Sequence, residues 1–197
     1  MRILFVSLFV VVIDQISKLL VKGISIPFLK LDFPGMYAGQ KIPLLGNFFD
    51  ITFVENPGIA FGIDFGERFK FFISLITLAA SIGLLIYLYK NKNKLFGFRL
   101  SLALILGGAV GNLIDRIFYG AFYGYDSLFQ GSVVDFFNLR FFNFFILDRM
   151  FGSYVFNVAD MAVTCGVMLL LYTFNRQKAL DNAAAAEIEN YLAENKE

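Results

Sequence analysis

The chain has 197 residues, of which 58% are hydrophobic and 17% charged, with a formal net charge of +1. A typical soluble domain is about 45–50% apolar and about 25% charged, so this composition indicates a membrane protein. The near-zero net charge gives no reason to expect nucleic acid as a partner. The sequence contains no histidine, which excludes Ser-His and Cys-His nucleophile pairs and the His-Glu-x-x-His zinc motif. If the chain is an enzyme, carboxyl groups must carry its acid–base chemistry.

Four segments are long and apolar enough to cross a bilayer, whose core of about 30 Å takes about 20 helical residues. They predict transmembrane helices over about 3–21, 71–89, 100–118 and 154–174. The predicted fold is therefore an all-α, four-helix transmembrane bundle, with residues 1–174 as one membrane domain and 175–197 as a tail. The single cysteine, Cys165, lies in the fourth helix, where we expect a packed thiol without a disulfide partner.

The segment over 23–69 differs from the helices, because proline, glycine and aromatic residues punctuate it. Phe48–Val54 has the composition of a strand, and Asn56-Pro57-Gly58 predicts a turn before extended structure resumes over Ile59–Ile63. We expect a small β-rich platform beside the bundle. Asn56 either bonds the backbone of its own turn or serves a site, and the sequence leaves both open.

Basic residues set the predicted orientation. The short connection 90–99 carries Lys90, Lys92, Lys94 and Arg99 without an acid, and Arg2, Arg176 and Lys178 lie on the same side. Because lysine and arginine mark cytoplasmic loops, both termini, the 90–99 loop and the tail are predicted to be cytoplasmic. The segments 23–69 and 119–153 are then extracytoplasmic.

Charged residues lie within three of the four apolar segments, and in the third they are Asp115 and Arg116, near its end. Asp160 lies inside the fourth, where a charge costs roughly 2.5–3.5 kcal/mol at a helix centre and suggests a functional site. Asp14 and Lys18 are spaced i,i+4 in the first helix and can pair, although Lys18 alone can also extend its amine to the interface.

In this topology the polar side chains of three helices converge at the extracytoplasmic boundary, together with one from the segment before the fourth helix. They are Asp14, Asn112, Arg116, Asp135, Asn157 and Asp160. Two carboxyl groups at close range share a proton, so one can take a proton from water while the other donates to a carbonyl. The sequence therefore predicts an aspartyl protease centre at Asp135 and Asp160, with the division of roles open.

Five blocks carry a family resemblance, in order along the chain. They are Asp14-Gln15-Ile16-Ser17-Lys18, Asn56-Pro57-Gly58-Ile59-Ala60-Phe61-Gly62, Gly107 to Arg116, Val133-Val134-Asp135-Phe136 and Phe156-Asn157-Val158-Ala159-Asp160. With these blocks the chain resembles lipoprotein signal peptidase (signal peptidase II), a four-helix aspartyl protease of the bacterial inner membrane.

The resemblance implies a catalytic dyad of Asp135 and Asp160, without metal or organic cofactor. The implied supporting and substrate-binding residues are Asp14, Lys18, Asn56, Gly108, Asn112, Arg116 and Asn157. The expected substrate is a prolipoprotein carrying diacylglycerol on its cysteine, cut immediately before that cysteine at the extracytoplasmic face. We also expect contact with membrane lipid, inhibition by the cyclic peptide globomycin and a monomeric state.

Some features depart from the family pattern. Pro57 replaces a small residue, and the spacings from Lys18 to Asn56, from Arg116 to Asp135 and from Asp135 to Asp160 are longer than usual. We interpret the aromatic run Phe141–Leu147 as a lid or a helix resting on the membrane. Two alternatives stay open: a catalytically inactive homologue that binds lipidated peptides, and a small proton-coupled transporter.

Overall fold

The protein is described here by a computed structural model that covers residues 2–58, 67–146 and 149–194. Within these residues four helices are long and apolar enough to span a membrane. They are α1 (Leu4–Lys22), α2 (Glu67–Lys90), α3 (Phe96–Ile114) and α5 (Val158–Glu194). A short helix, α4 (Gly120–Phe122), lies between α3 and α5. A small β-sheet region accompanies them. This architecture agrees with the predicted four-helix bundle and platform.

The bundle is built around α3, which packs against α1, α2 and α5. Large apolar side chains such as Phe5, Phe9 and Ile76 are exposed on the outside, because lipid is their solvent. Small residues lie at the helix contacts instead. A Cβ on Gly107 would lie 2.9 Å from the Ser7 carbonyl oxygen of α1, and one on Gly108 would lie 2.3 Å from the Ala159 carbonyl oxygen of α5. The glycines of α3 therefore allow its backbone to approach both neighbours.

Six strands lie at one end of the bundle, here called the sheet end. A hairpin joins β1 (Ile24–Ile26) to β2 (Leu31–Phe33), and an antiparallel sheet has the order β3-β4-β5-β6. Its strands are β3 (Lys41–Leu45), β4 (Phe49–Asn56), β5 (Val133–Ile146) and β6 (Arg149–Phe156). Val21, Tyr119, Val134 and Phe136 form a buried apolar cluster between the helices and the sheet.

The described part of the aromatic run Phe141–Leu147 is not an interfacial helix. Residues up to Ile146 continue strand β5 and pair with β6, for example Phe144 with Phe151, while Leu147 is outside the described residues. Aromatic residues favour strands wherever a partner strand is available, and β6 supplies one. The predicted extended stretch Ile59–Ile63 also lies outside the described residues.

Several helix boundaries differ from the sequence-based ones. The last helix begins at Val158 and not at Tyr154, because Tyr154 pairs with Leu139 in the sheet. At its other end α5 continues to Glu194 without a break at Asn175, since the alanine- and glutamate-rich sequence there strongly favours helix. Cys165 is exposed on α5, so the expected packed thiol is wrong.

Candidate active site

The nine residues predicted for the site come from three helices and two strands, or from positions directly beside them. They are Asp14 and Lys18 of α1, Asn56 of β4, Gly108 and Asn112 of α3, Arg116 just after α3, Asp135 of β5, Asn157 at the start of α5, and Asp160 of α5. Hydrogen bonds and ion pairs connect seven of them. Gly108 contributes the close helix contact described above, and Arg116 is treated separately below.

Asp160 is part of a reciprocal cap at the start of α5. Its backbone N–H donates to Asn157 Oδ1 at 3.0 Å, and its own Oδ2 accepts from the Asn157 backbone N–H at 3.2 Å. This is the capping-box arrangement, in which residues three apart satisfy each other's free N–H groups. The partial positive charge of a helix N-terminus also favours an anion in the first turn. The cap therefore fixes the position of the Asp160 carboxyl group at the start of α5.

Asp135 is only 4% exposed and lies on β5. Its Oδ1 accepts from Asn157 Nδ2 at 2.7 Å and its Oδ2 accepts from Asn56 Nδ2 at 3.1 Å. Burial, followed by the nearby negative charge of Asp160, raises the pKa of Asp135 to about 7, against the opposing effect of the Asn56 hydrogen bond. The carboxyl group of Asp135 can therefore carry a proton at neutral pH.

Asn56 fulfils both of the roles that the sequence left open. Its Oδ1 accepts from the Gly58 backbone N–H at 2.9 Å, which closes the turn, and its Nδ2 donates to Asp135. Since the oxygen is committed to the turn, the amide nitrogen must face the carboxyl group.

Asn112 connects the two sides of the site. Its Nδ2 donates to Asp160 Oδ1 at 2.9 Å, while its Oδ1 accepts from Lys18 Nζ at 2.8 Å and from Asn157 Nδ2 at 3.1 Å. A lysine amine can only donate, so it fixes which end of the Asn112 amide faces Asp160.

Lys18 is fully buried, with its amine 2.7 Å from Asp14 Oδ2 and 2.8 Å from Asp115 Oδ2. The alternative in which Lys18 extends to the interface is therefore wrong. Asp14 also accepts from the Ala159 backbone N–H at 2.9 Å, next to Asp160 in the chain. The cluster thus ties α1 to α3 and to the first turn of α5.

Two members of this cluster were not singled out from the sequence. Asp115 is fully buried and also accepts from the Val134 backbone N–H, and Gln15 donates to Asp115 Oδ1 at 2.8 Å. Both lie inside the family-like blocks, Gln15 next to Asp14 and Asp115 three residues after Asn112. The need of Lys18 for a second anion was the signal that could have identified Asp115.

Arg116 lies in a π-helical turn, Asp115–Tyr119, and such turns occur frequently at functional sites. Its positive charge is within electrostatic range of Asp135 and Asp160. The nitrogen Nη1 is buried and has no hydrogen-bond partner among residues 2–58, 67–146 and 149–194. A Cβ on Gly58 would lie 3.1 Å from this nitrogen, so the guanidinium packs against the turn that follows Asn56.

Comparisons with known proteins place the chain in a family. The model of the signal peptidase (SPase) II family matches residues 6–176. The lipoprotein signal peptidase of Moorella thermoacetica is 36% identical over 172 residues, covering 87% of this chain and 91% of the relative. That of Halothermothrix orenii is 36% identical over 177 residues, covering 89% and 97%.

Among solved structures, a bacterial membrane enzyme determined by the in meso method at 2.3 Å resolution superposes with a TM-score of 0.62. It is 26% identical, and the match covers 90% of this chain and 89% of that one. Sequence and structure therefore agree over nearly the same residues. The chain belongs to the signal peptidase II family, the aspartic proteases that remove signal peptides from prolipoproteins.

Proposed function

We propose that this chain cuts diacylglyceryl-modified prolipoproteins immediately before the lipidated cysteine, with Asp135 and Asp160 as the catalytic dyad. The observation that carries the proposal is that one residue, Asn157, donates to both carboxyl groups, from Nδ2 to Asp135 and from its backbone N–H to Asp160. Two acids fixed by the same residue in a half-buried site suit an aspartyl protease.

The surroundings of the two acids support different roles. Asp160 is less buried than Asp135, so water reaches it more easily, and it accepts two N–H donors at the N-terminus of α5. Asp135 is almost fully buried, with a pKa of about 7. We therefore assign Asp160 as the general base and Asp135 as the protonated partner.

In the first step Asp160 takes a proton from water while the water oxygen bonds to the carbonyl carbon of the scissile peptide. Asp135 donates its proton toward the carbonyl oxygen, giving a neutral tetrahedral diol. In the second step the proton held by Asp160 moves to the leaving nitrogen, the C–N bond breaks and the diol returns a proton to Asp135. Protons balance over the cycle, and no metal ion or cofactor is needed.

The remaining polar residues would position substrate and dyad. Nη1 of Arg116, which has no hydrogen-bond partner among the described residues, would donate to a backbone carbonyl of the bound peptide. Asn56 and Asn112 would hold the carboxyl groups, and Asp14 with Lys18 would hold Asn112. Globomycin, a cyclic peptide, would inhibit by occupying the dyad.

The proposed location is the bacterial inner membrane, with the site at its extracytoplasmic face. The basic connection between α2 and α3 and both chain ends would be cytoplasmic, following the distribution of lysine and arginine. The sheet end, which carries the dyad, would then face the compartment in which lipidated precursors are exposed. We propose that the chain works as a monomer in contact with membrane lipid.

The test is cleavage of a synthetic lipidated prolipoprotein peptide by the purified wild type, Asp135→Asn and Asp160→Asn. We expect turnover in the wild type and a loss of at least about 10³-fold in each variant. Glu187→Gln, at an exposed acid of α5, is the control and should keep full activity. Binding of the peptide without cleavage by the wild type would favour an inactive homologue, and activity surviving both dyad substitutions would refute the protease mechanism.

A further inference from the structure

An apolar groove lies on the membrane-facing side of the sheet end, between α1 and the segment that follows α3. It is a cavity of about 590 Å³, lined mainly by Leu19, Ile114, Phe118, Phe122 and Leu128. Phe118 and Leu128 are 52% and 54% exposed. Leu19, Ile114 and Phe118 belong to membrane-spanning segments, so lipid is the medium that meets this groove.

A polar pocket of about 340 Å³ continues the groove beyond the end of α1. The two cavities share Ile24 and Phe122 as lining residues. The polar pocket adds Lys22, Ser25 and Asp32, the first from the last turn of α1 and the others from the β1–β2 hairpin. An acyl-chain-sized groove thus leads directly into a charged pocket at the membrane boundary.

The two charged residues of the polar pocket differ in burial and in their place in the fold. Lys22 lies at the end of α1, three residues after Leu19 of the groove, with its side chain only 7% exposed, held by an ion pair to Glu55 and by the rings of Tyr123 and Tyr125 at 4.2 and 4.8 Å from its amine. Asp32 is exposed on the hairpin and forms no ion pair with any residue that the structure describes. The pocket therefore has a cation about one helical turn from the groove and an exposed anion on the hairpin.

This arrangement is complementary to a zwitterionic lipid, whose phosphate lies near the acyl chains and whose ammonium lies farther out. We propose that the groove and pocket bind one phospholipid with a primary-ammonium headgroup from the leaflet at the sheet end. The acyl chain would lie along Leu19 and Phe118, the phosphate would face Lys22 and the Ser25 hydroxyl, and the ammonium would pair with Asp32. A headgroup without an amine, such as phosphoglycerol, lacks the positive charge that Asp32 can pair with.

The lipid would also contact the support of the active site. Gln15 lines the groove, and its amide donates to Asp14, Asp115 and the Gly111 carbonyl oxygen. An occupied groove would shield this amide from competing water. The inference does not depend on the proposed peptide cleavage, because it concerns lipid binding in the groove and pocket, whose linings do not include Asp135 or Asp160.

The chain contains no tryptophan, so single-tryptophan reporters can test the site directly. Phe118→Trp places the reporter in the groove. Phe72→Trp is the matched control. Phe72 is 57% exposed near the start of α2, which lies at the sheet end, and it does not line either cavity. Both variants are reconstituted in phosphatidylcholine vesicles containing a minor fraction of dibrominated phosphatidylethanolamine, dibrominated phosphatidylglycerol or dibrominated phosphatidylcholine, whose bromines quench tryptophan fluorescence.

We expect quenching at position 118 by dibrominated phosphatidylethanolamine to indicate about threefold enrichment over its mole fraction, since exposed ion pairs are weak. Quenching at position 72 should follow the mole fraction for all three lipids. Adding Asp32→Asn to Phe118→Trp should remove the enrichment. Equal quenching at both positions, stronger enrichment of the glycerol lipid, or enrichment that survives Asp32→Asn would overturn the proposal.

Discussion

Asn157 lies between the two acids of the site and donates to Asp135 Oδ1 at 2.7 Å from the same Nδ2 that donates to Asn112 Oδ1 at 3.1 Å. Its side-chain oxygen meanwhile caps α5 by accepting from the Asp160 backbone N–H. One amide therefore orients both proposed catalytic groups and begins the helix that carries one of them.

The first prediction separates these two functions. Asn157→Asp keeps an oxygen to cap α5, since aspartate caps helices as well as asparagine, but it removes the side-chain donor to Asp135 and adds a third carboxyl group beside the dyad. We expect folding to persist and cleavage of the lipidated peptide to fall by at least about 10². Asn182→Asp, at an exposed position of the same helix, should have no effect. Cleavage by Asn157→Asp at the wild-type rate would contradict the orienting role.

The second prediction concerns the pH dependence of catalysis. If Asp135 must hold a proton, the wild-type kcat should fall above about pH 7 by about tenfold per pH unit, because the pKa of Asp135 is raised to about 7. The measurement is single-turnover cleavage from pH 5 to 9. A rate that stays constant to pH 9 would remove Asp135 from the role of proton donor.

The third prediction concerns the effect of pH on stability. The pKa of Asp135 is higher in the folded protein than the ordinary value of about 3.9. The free energy of unfolding that this group contributes is therefore fully present below about pH 4 and is lost as the pH rises to about 7. Asp135→Asn removes this loss. The variant should therefore gain stability relative to wild type by roughly 2 kcal/mol between pH 5 and pH 8, measured by unfolding in detergent. Parallel stability curves would contradict the shifted pKa.

The fourth prediction tests the buried cation. Lys18→Met leaves Asp14 and Asp115 buried without their counter-charge, which should destabilise the protein by about 3–5 kcal/mol and lower cleavage. The triple variant Asp14→Asn, Lys18→Met, Asp115→Asn removes all three charges and should recover much of the stability but not the activity. Lys178→Met, at an exposed position, is the control. Recovery of activity in the triple variant would show that Lys18 does not orient Asn112.

The fifth prediction concerns the helix contact at Gly108. Gly108→Ala places a methyl group 2.3 Å from the Ala159 carbonyl oxygen, and a backbone atom cannot move aside easily. We expect a loss of about 1–3 kcal/mol in stability together with reduced cleavage, because Ala159 precedes Asp160. Gly83→Ala in α2 has nothing within 4 Å and should stabilise by up to about 1 kcal/mol. Similar effects of both substitutions would contradict close packing at Gly108.

The helices and the position of the site follow from the sequence because each rests on a strong local signal. Long apolar runs have few folded forms other than spanning helices, and an aspartate such as Asp160 inside one needs a polar partner. Aromatic runs carry less information. Phe141–Ile146 and Tyr154–Phe156 suit a strand or a membrane-facing helix equally well, and only the pairing of each with another part of the β5–β6 hairpin decides between the two. Asp115 was missed for a related reason, since its importance depends on contact with Lys18, which is 97 positions earlier in the chain.

The glycines of α3 also restrict how the specificity of this site can change. Because α3 contacts the backbones of both α1 and α5, these three helices cannot shift relative to one another to admit a different peptide. We call them the helical wall. The sheet is more adaptable, because the register of β4 against β5 is irregular between Ile51 and Val54, close to the pair of Val54 with Asp135. Laboratory evolution toward new cleavage sequences should therefore accumulate its changes in these strands and leave the helical wall intact.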